Sequence, residues 1–149
     1  MKIKLAVSDE RYTEVSSLLR GLGLELDDDA EFVLIERNRH PSHLGVKTER
    51  GERAHIPTED IILIEVFGHS VEVVTEAGRF RSSETLGQLA LMLDPTMFLR
   101  ISNSVIIRKN KVKRIDPSFS MKFTLEMQNG QRVDVTRSYY AAFREFFRI

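Results

Sequence analysis

The chain has 149 residues, with 22 Lys and Arg against 22 Asp and Glu, four His, and neither Cys nor Trp. That length fits one ordinary domain, or a small one with an extension, and excludes two large ones. The missing Cys excludes disulfides, thiolate zinc sites and cysteine nucleophiles. No apolar run nears the ~20 residues of a membrane span and no signal-like stretch follows Met1, so a cytoplasmic protein is expected.

Ile3, Leu5 and Val7 alternate with Lys2, Lys4 and Ala6, which predicts a strand with one buried face. Ser8 or Asp9 can then cap a helix in which Tyr12, Val15, Leu18, Leu19 and Leu22 recur at helical spacing, with Gly21 and Gly23 to stop it. The acidic stretch from Glu25 to Glu31 lacks calcium-loop spacing and reads as a solvated loop before a short strand, Phe32 to Ile35. Such a β-α-β unit is too short for a phosphoacceptor receiver with its five-stranded sheet, so Asp9 reads as a cap. Arg37 to Arg53 is polar, broken by Pro41, Gly45 and Gly51, and reads as a linker with one short strand.

The pattern changes after Pro57. Ile61 to Val66 and Val71 to Thr75 are β-rich runs separated by Gly68-His69-Ser70, and Glu76-Ala77-Gly78 turns the chain into Arg79 to Ser82. Ser83 precedes a short helix with Leu86, Leu89, Ala90 and Leu93 on one face, ended by Asp94-Pro95. Strands follow at 97–101, 104–108, 111–116, 121–127 and 132–136; the fourth alternates strictly, and Asn129-Gly130 is a strong hairpin signal. Tyr140, Phe143 and Phe147 in the tail stand at helical spacing and read as core.

The neutral total hides a division. Residues 1–94 hold 11 Lys and Arg against 18 Asp and Glu, a net −7, and residues 95–149 hold 11 against 4, a net +7. Arg108 to Arg114 carries five positive charges in seven residues with no acid, which points to a polyanionic partner or a solvated basic face. No phosphate-binding loop, nucleophile elbow or metal-ligand spacing is present, and His40 and His43 are separated by a Pro, so neither enzyme activity nor a cofactor is expected.

Phe98-Leu99-Arg100-Ile101-Ser102-Asn103-Ser104, followed by Val105-Ile106-Ile107, resembles the LytTR family of bacterial DNA-binding domains, whose pattern is Phe-x-Arg-x-His/Ser-x-Ser before an apolar strand. The same family's opening and closing signatures are matched by Asp60-Ile61-Ile62-Leu63-Ile64-Glu65 and by Val135-Thr136-Arg137-Ser138-Tyr139 after the Asn-Gly turn, and the likeness runs over about residues 50–148. Arg108 stands where the family has Asn, Asn103 where Lys or Arg is common, and Thr136 where Ser is usual.

The resemblance implies an elongated, mainly β domain over residues 50–149, with antiparallel sheets and one short helix, that inserts loops into the major groove of double-stranded DNA. Residues 1–45 are expected to form a small α+β module serving dimerisation or regulation. The family positions on DNA correspond to His69, Asn103 and Arg137, with Ser102 and Ser104 beside them. Arg137 suits the O6/N7 edge of guanine and Asn103 the N6/N7 edge of adenine, while Arg108, Lys109 and Lys111 suit phosphates. The expected whole is a homodimeric bacterial transcriptional regulator. Two other readings stay open: a protein-interaction module holding a partner such as a membrane sensor, and a binder of single-stranded nucleic acid.

Overall fold

A computed structural model describes residues 1–149 as three sheets and three α-helices. In chain order the elements are β1 (Lys2–Ala6), α1 (Asp9–Gly21), β2 (Glu25–Leu26), β3 (Phe32–Ile35), β4 (His43–Lys47), β5 (Arg53–Pro57), β6 (Ile61–Phe67), β7 (Ser70–Thr75) and β8 (Gly78–Ser82). Then come α2 (Leu86–Met92), β9 (Phe98–Arg100), β10 (Val105–Arg108), β11 (Val112–Ser118), β12 (Lys122–Met127), β13 (Arg132–Val135) and α3 (Tyr140–Phe147). The mainly β class with a small α+β start is as expected.

The first sheet is parallel, in the order β2-β1-β3. The second has seven antiparallel strands, β5-β4-β8-β7-β6-β10-β9, and the third is the meander β11-β12-β13. Four consecutive residues of β6, Ile61 to Ile64, have no exposed surface. They read as an unbroken apolar run because the middle strand is covered on both faces. A register irregularity between Ile61 and Leu63 turns Ile61 and Ile64 to one face, and Ile62 and Leu63 to the other. The first face packs under Leu86, Leu89 and Met92 of α2. The second packs on Phe123, Leu125, Val133 and Val135 of the third sheet and on Phe143 of α3.

The structure corrects three local expectations. The stretch read as a linker folds into the β4–β5 hairpin of the large sheet, with Leu44, Val46 and Ile56 buried. Its alternation in β4 is short, Leu44 and Val46 alone, and Gly45 between them reads as a loop signal; the glycine's missing side chain admits the Asp28 carboxylate 3.1 Å from where a Cβ would stand. Helix α2 is capped by Thr85 rather than Ser83: Thr85 Oγ1 accepts from the Gln88 amide while Gln88 Oε1 accepts from the Thr85 amide. Ser8 does sit at the start of α1, but its hydroxyl donates to Glu36 instead of capping.

The acidic loop is not simply solvated either. Asp29 pairs with Lys47 at 2.9 Å and accepts from Ser83 at 2.6 Å, Asp27 meets Arg53 at 3.5 Å, and Asp28 meets His55 at 3.4 Å. Hydrogen bonds from Ser83 and Lys47 hold the Asp29 carboxyl below the usual carboxylate range. At the centre of this seam Lys4 Nζ lies 2.7 Å from Glu84 Oε1, both side chains almost fully buried. The N-terminal sheet is thereby fastened to the large sheet, and β4 (His43–Lys47) runs across the boundary expected near residue 45.

Candidate nucleic-acid interface

Three loops meet at one end of the strands. Glu65 of β6 opposes Val105 of β10, and the Val66 amide donates to the Ser104 carbonyl, so the β6–β7 turn and the β9–β10 loop lie side by side. The Thr136 amide donates to the Ile101 carbonyl at 3.0 Å, which brings the end of β13 to the same loop. His69, Asn103 and Arg137 therefore stand in one row, as do Ser102 and Ser104.

Each loop has a physical reason for its shape. Gly68 takes φ +63 at the first central position of the two-residue β6–β7 turn, so His69 follows at the tip. In the β9–β10 loop Ser102 is buried and its hydroxyl accepts from the Ser104 amide at 3.2 Å, leaving Asn103 and Ser104 exposed. Arg100 lies along this loop and donates to the carbonyls of Ser102 (3.2 Å) and Asn103 (2.8 Å). The Tyr139 hydroxyl donates to Asn103 Oδ1 at 3.1 Å. A carbonyl oxygen has two lone pairs, so this bond fixes the amide while its NH₂ and second lone pair stay free for a base edge. Arg137 is exposed in the 3₁₀ turn Arg137–Tyr139. His69 also rims an open polar depression of about 540 Å³ with Lys47, Arg81, Ser83 and Glu84.

The same end carries the β11–β12 tip, because Phe123 of β12 opposes Val135 of β13. There Phe119 is 95% exposed, and Ser120 and Met121 both take left-handed conformations.

Arg108, Lys109 and Lys111 are not part of this row. Arg108 ends β10 and Lys109 and Lys111 follow it, while Asn103 stands at the strand's other end, and the five steps from Ser104 to Lys109 span about 17 Å at ~3.4 Å per residue. Arg108 covers the Phe98 ring at 5.0 Å and donates to the Thr58 carbonyl, while the Lys109 ammonium lies 5.0 Å from the Phe146 ring centre. Farther along the basic run Lys113 finds Glu126 across the sheet at 3.5 Å and Arg114 finds Asp116 along its own strand at 3.0 Å. A run without an acid in sequence is thus partly neutralised in space.

Sequence reasoning missed Arg100 as the brace of the β9–β10 loop and Tyr139 as the partner of Asn103. Both stand inside the family signatures, Arg100 in Phe98–Ser104 and Tyr139 at the end of Val135–Tyr139, but their contacts are not legible from spacing, and Tyr139 is 36 positions from Asn103.

Comparison with known proteins follows these residues. A family profile for the LytTr DNA-binding domain matches residues 51–148. The chain is 28% identical to the sensory transduction protein LytT of Enterococcus faecalis over 90 residues, 60% of this chain and 37% of that one. It is 31% identical to the sensory transduction protein LytR of Staphylococcus saprophyticus over 98 residues, 65% of this chain and 39% of that one. With the LytT protein of Bacillus subtilis it shares 27% over 120 residues, 80% of this chain and 50% of the relative. The matches thus span half or less of these curated relatives. A solved LytTr DNA-binding domain of a putative methyl-accepting/DNA response regulator from Bacillus cereus superposes with a TM-score of 0.67 at 28% identity, covering 71% of this chain and 96% of that one.

Proposed function

The chain belongs to the LytTr DNA-binding domain family through residues 51–148, and on that premise we propose that it is a bacterial transcriptional regulator that reads double-stranded DNA with the row of loops bearing His69, Asn103 and Arg137. The observation that carries this reading is the convergence of those three exposed side chains at one end of the sheets, on loops braced by backbone and side-chain hydrogen bonds.

Arg137 reads a guanine edge through two parallel donors, Asn103 an adenine edge through its free lone pair and NH₂, and His69 a neighbouring base. Ser104, and Lys122 on the adjacent hairpin, are positioned for phosphates, while Ser102 acts by shaping the loop. Arg108 and Lys109 lie about 14 and 17 Å back along β10, with Lys111 beyond them, roughly twice the ~8 Å Debye length at cellular salt, so they influence the duplex weakly. The protein acts by binding alone, in the cytoplasm, as a homodimer whose two subunits take two half-sites.

The test is a salt titration of duplex binding by fluorescence anisotropy. Arg137→Ala lowers affinity for the preferred duplex by about 5- to 150-fold, the ~1–3 kcal/mol of a bidentate base contact, and leaves random duplex almost unchanged. Lys111→Ala changes either by less than about twofold. Equal losses on preferred and random DNA in Arg137→Ala would refute base reading by that residue.

A further inference from the structure

Edge strands offer unpaired N–H and C=O groups, and proteins blunt them with charge, proline or very short length. The three sheets have six edges. Strand β5 carries Arg53, His55 and Pro57, β11 carries Lys113, Arg114 and Pro117, and β13 carries Arg132 and Asp134. Strand β2 has only two residues, and β9 has three and ends in Arg100. The sixth, β3, is Phe32-Val33-Leu34-Ile35, with no charge, no proline and no bulge. It is also uncovered: Phe32 is 58%, Leu34 36% and Ile35 39% exposed. Helix α1 packs toward β2, on the far side of β1, and so leaves this strand open.

We propose that the outer edge of β3 is the seam of a two-fold homodimer, where β3 pairs antiparallel with β3 of a second copy and joins two three-stranded sheets into one of six. The second copy is argued from register and charge. A two-fold axis normal to the sheet keeps every side chain on its own face. Residues that oppose one another must then both be odd or both even, as the two-residue side-chain period requires. A pairing centred between Val33 and Leu34 is thereby excluded. Centring on Leu34 sets Val33 against the partner's Ile35, and carries Glu31 opposite the partner's Arg37. Both residues are exposed, and neither forms an ion pair within the chain. Centring on Val33 would instead set Glu31 against the partner's Ile35. The two free opposite charges that flank the strand, Glu31 just before it and Arg37 in the turn after it, thus select one register and one partner, another copy of this chain. Both β domains then lie on the same side of the joined sheet, because Val33 faces the core shared with the large sheet. Two-fold-related DNA faces follow.

The seam supplies the pairing that the regulator reading requires and rests on that reading only for its use, so its test contains no DNA. Sedimentation velocity of the full chain across micromolar concentrations should give a dimer. Leu34→Arg sets two guanidinium groups at the axis and should raise the dissociation constant at least about tenfold, with the melting curve checking that it folds. Independently of that variant, Glu31→Arg and Arg37→Glu should each weaken the dimer, and the double variant should restore it to within about twofold of the parent. A monomeric parent, or a double variant no better than either single one, overturns the proposal. If the dimer behaves as stated while no duplex is preferred, the seam stands and the regulator reading fails.

Discussion

Replacing Lys4 by Met removes the cation from the Lys4–Glu84 pair while keeping nearly the same apolar length. The pair is 2.7 Å apart, with side chains 4% and 3% exposed, and the other Glu84 oxygen already accepts from Ser82 at 2.8 Å. The carboxylate would then face a dry seam with one hydroxyl for company. Breaking one side of a buried pair costs about 3–5 kcal/mol, a large share of the ~5–15 kcal/mol that holds a domain together. For a chain of this size each kcal/mol moves the melting temperature by ~2–4 °C, so Lys4→Met should lower it by about 6–20 °C. The double variant Lys4→Met with Glu84→Leu removes both charges and should recover most of the loss, since apolar replacement of an entire buried pair is often neutral. Thermal melting and urea unfolding at neutral pH measure both. A single-variant loss below about 1 kcal/mol, the value of an exposed pair, would mean that water reaches the seam. A double variant no more stable than the single one would equally refute the reasoning.

Three further outcomes follow from the same structure. Tyr139→Phe frees the Asn103 amide and should weaken preferred duplex about 2- to 10-fold, the ~0.5–1.5 kcal/mol of one neutral hydrogen bond, and relax selectivity at a single base position; an unchanged base preference in a competition assay would deny Tyr139 its positioning role. Asp29 is held ionised below its ordinary range, so its contribution is present above that range and is lost as pH falls through the folded value. The melting difference between parent and Asp29→Asn should therefore be present at neutral pH and shrink only as the pH falls below the ordinary carboxylate range toward the folded value, and a difference unchanged in strong acid would contradict it. Thr85→Ala removes one half of the α2 capping box and should cost about 1 kcal/mol in urea unfolding, with no change in duplex binding.

The elements with strong periodicity were legible in the sequence. Strand β12 alternates strictly and the Asn129-Gly130 turn stands between β12 and β13, whereas helix α1 forms where expected but buries Ser16 and Leu19 and leaves Tyr12, Leu18 and Leu22 of its apolar stripe exposed. The β4–β5 hairpin was not, because its alternation in β4 is only Leu44 and Val46 long and the glycine between them, in contact with Asp28, reads as a loop signal. Charge was legible as a sum but not as a surface. The run Arg108 to Arg114 contains no acid, yet Glu126 reaches it across the sheet and Asp116 from two positions beyond its end, and two aromatic rings absorb Arg108 and Lys109. The candidate site divides the same way. His69, Asn103 and Arg137 follow from the family likeness, and pairing register explains why they meet. Arg100 and Tyr139, which hold the β9–β10 loop and its asparagine, act through contacts that only the folded chain creates.

The central claim is that the row of loops reads sequence in double-stranded DNA. Selection of bound duplexes from a random library by the full chain tests it most directly. The account predicts a recovered motif with a few strongly preferred bases, bound about a thousandfold more tightly than the starting pool at physiological salt. A selected pool that binds no better than the random one would contradict it.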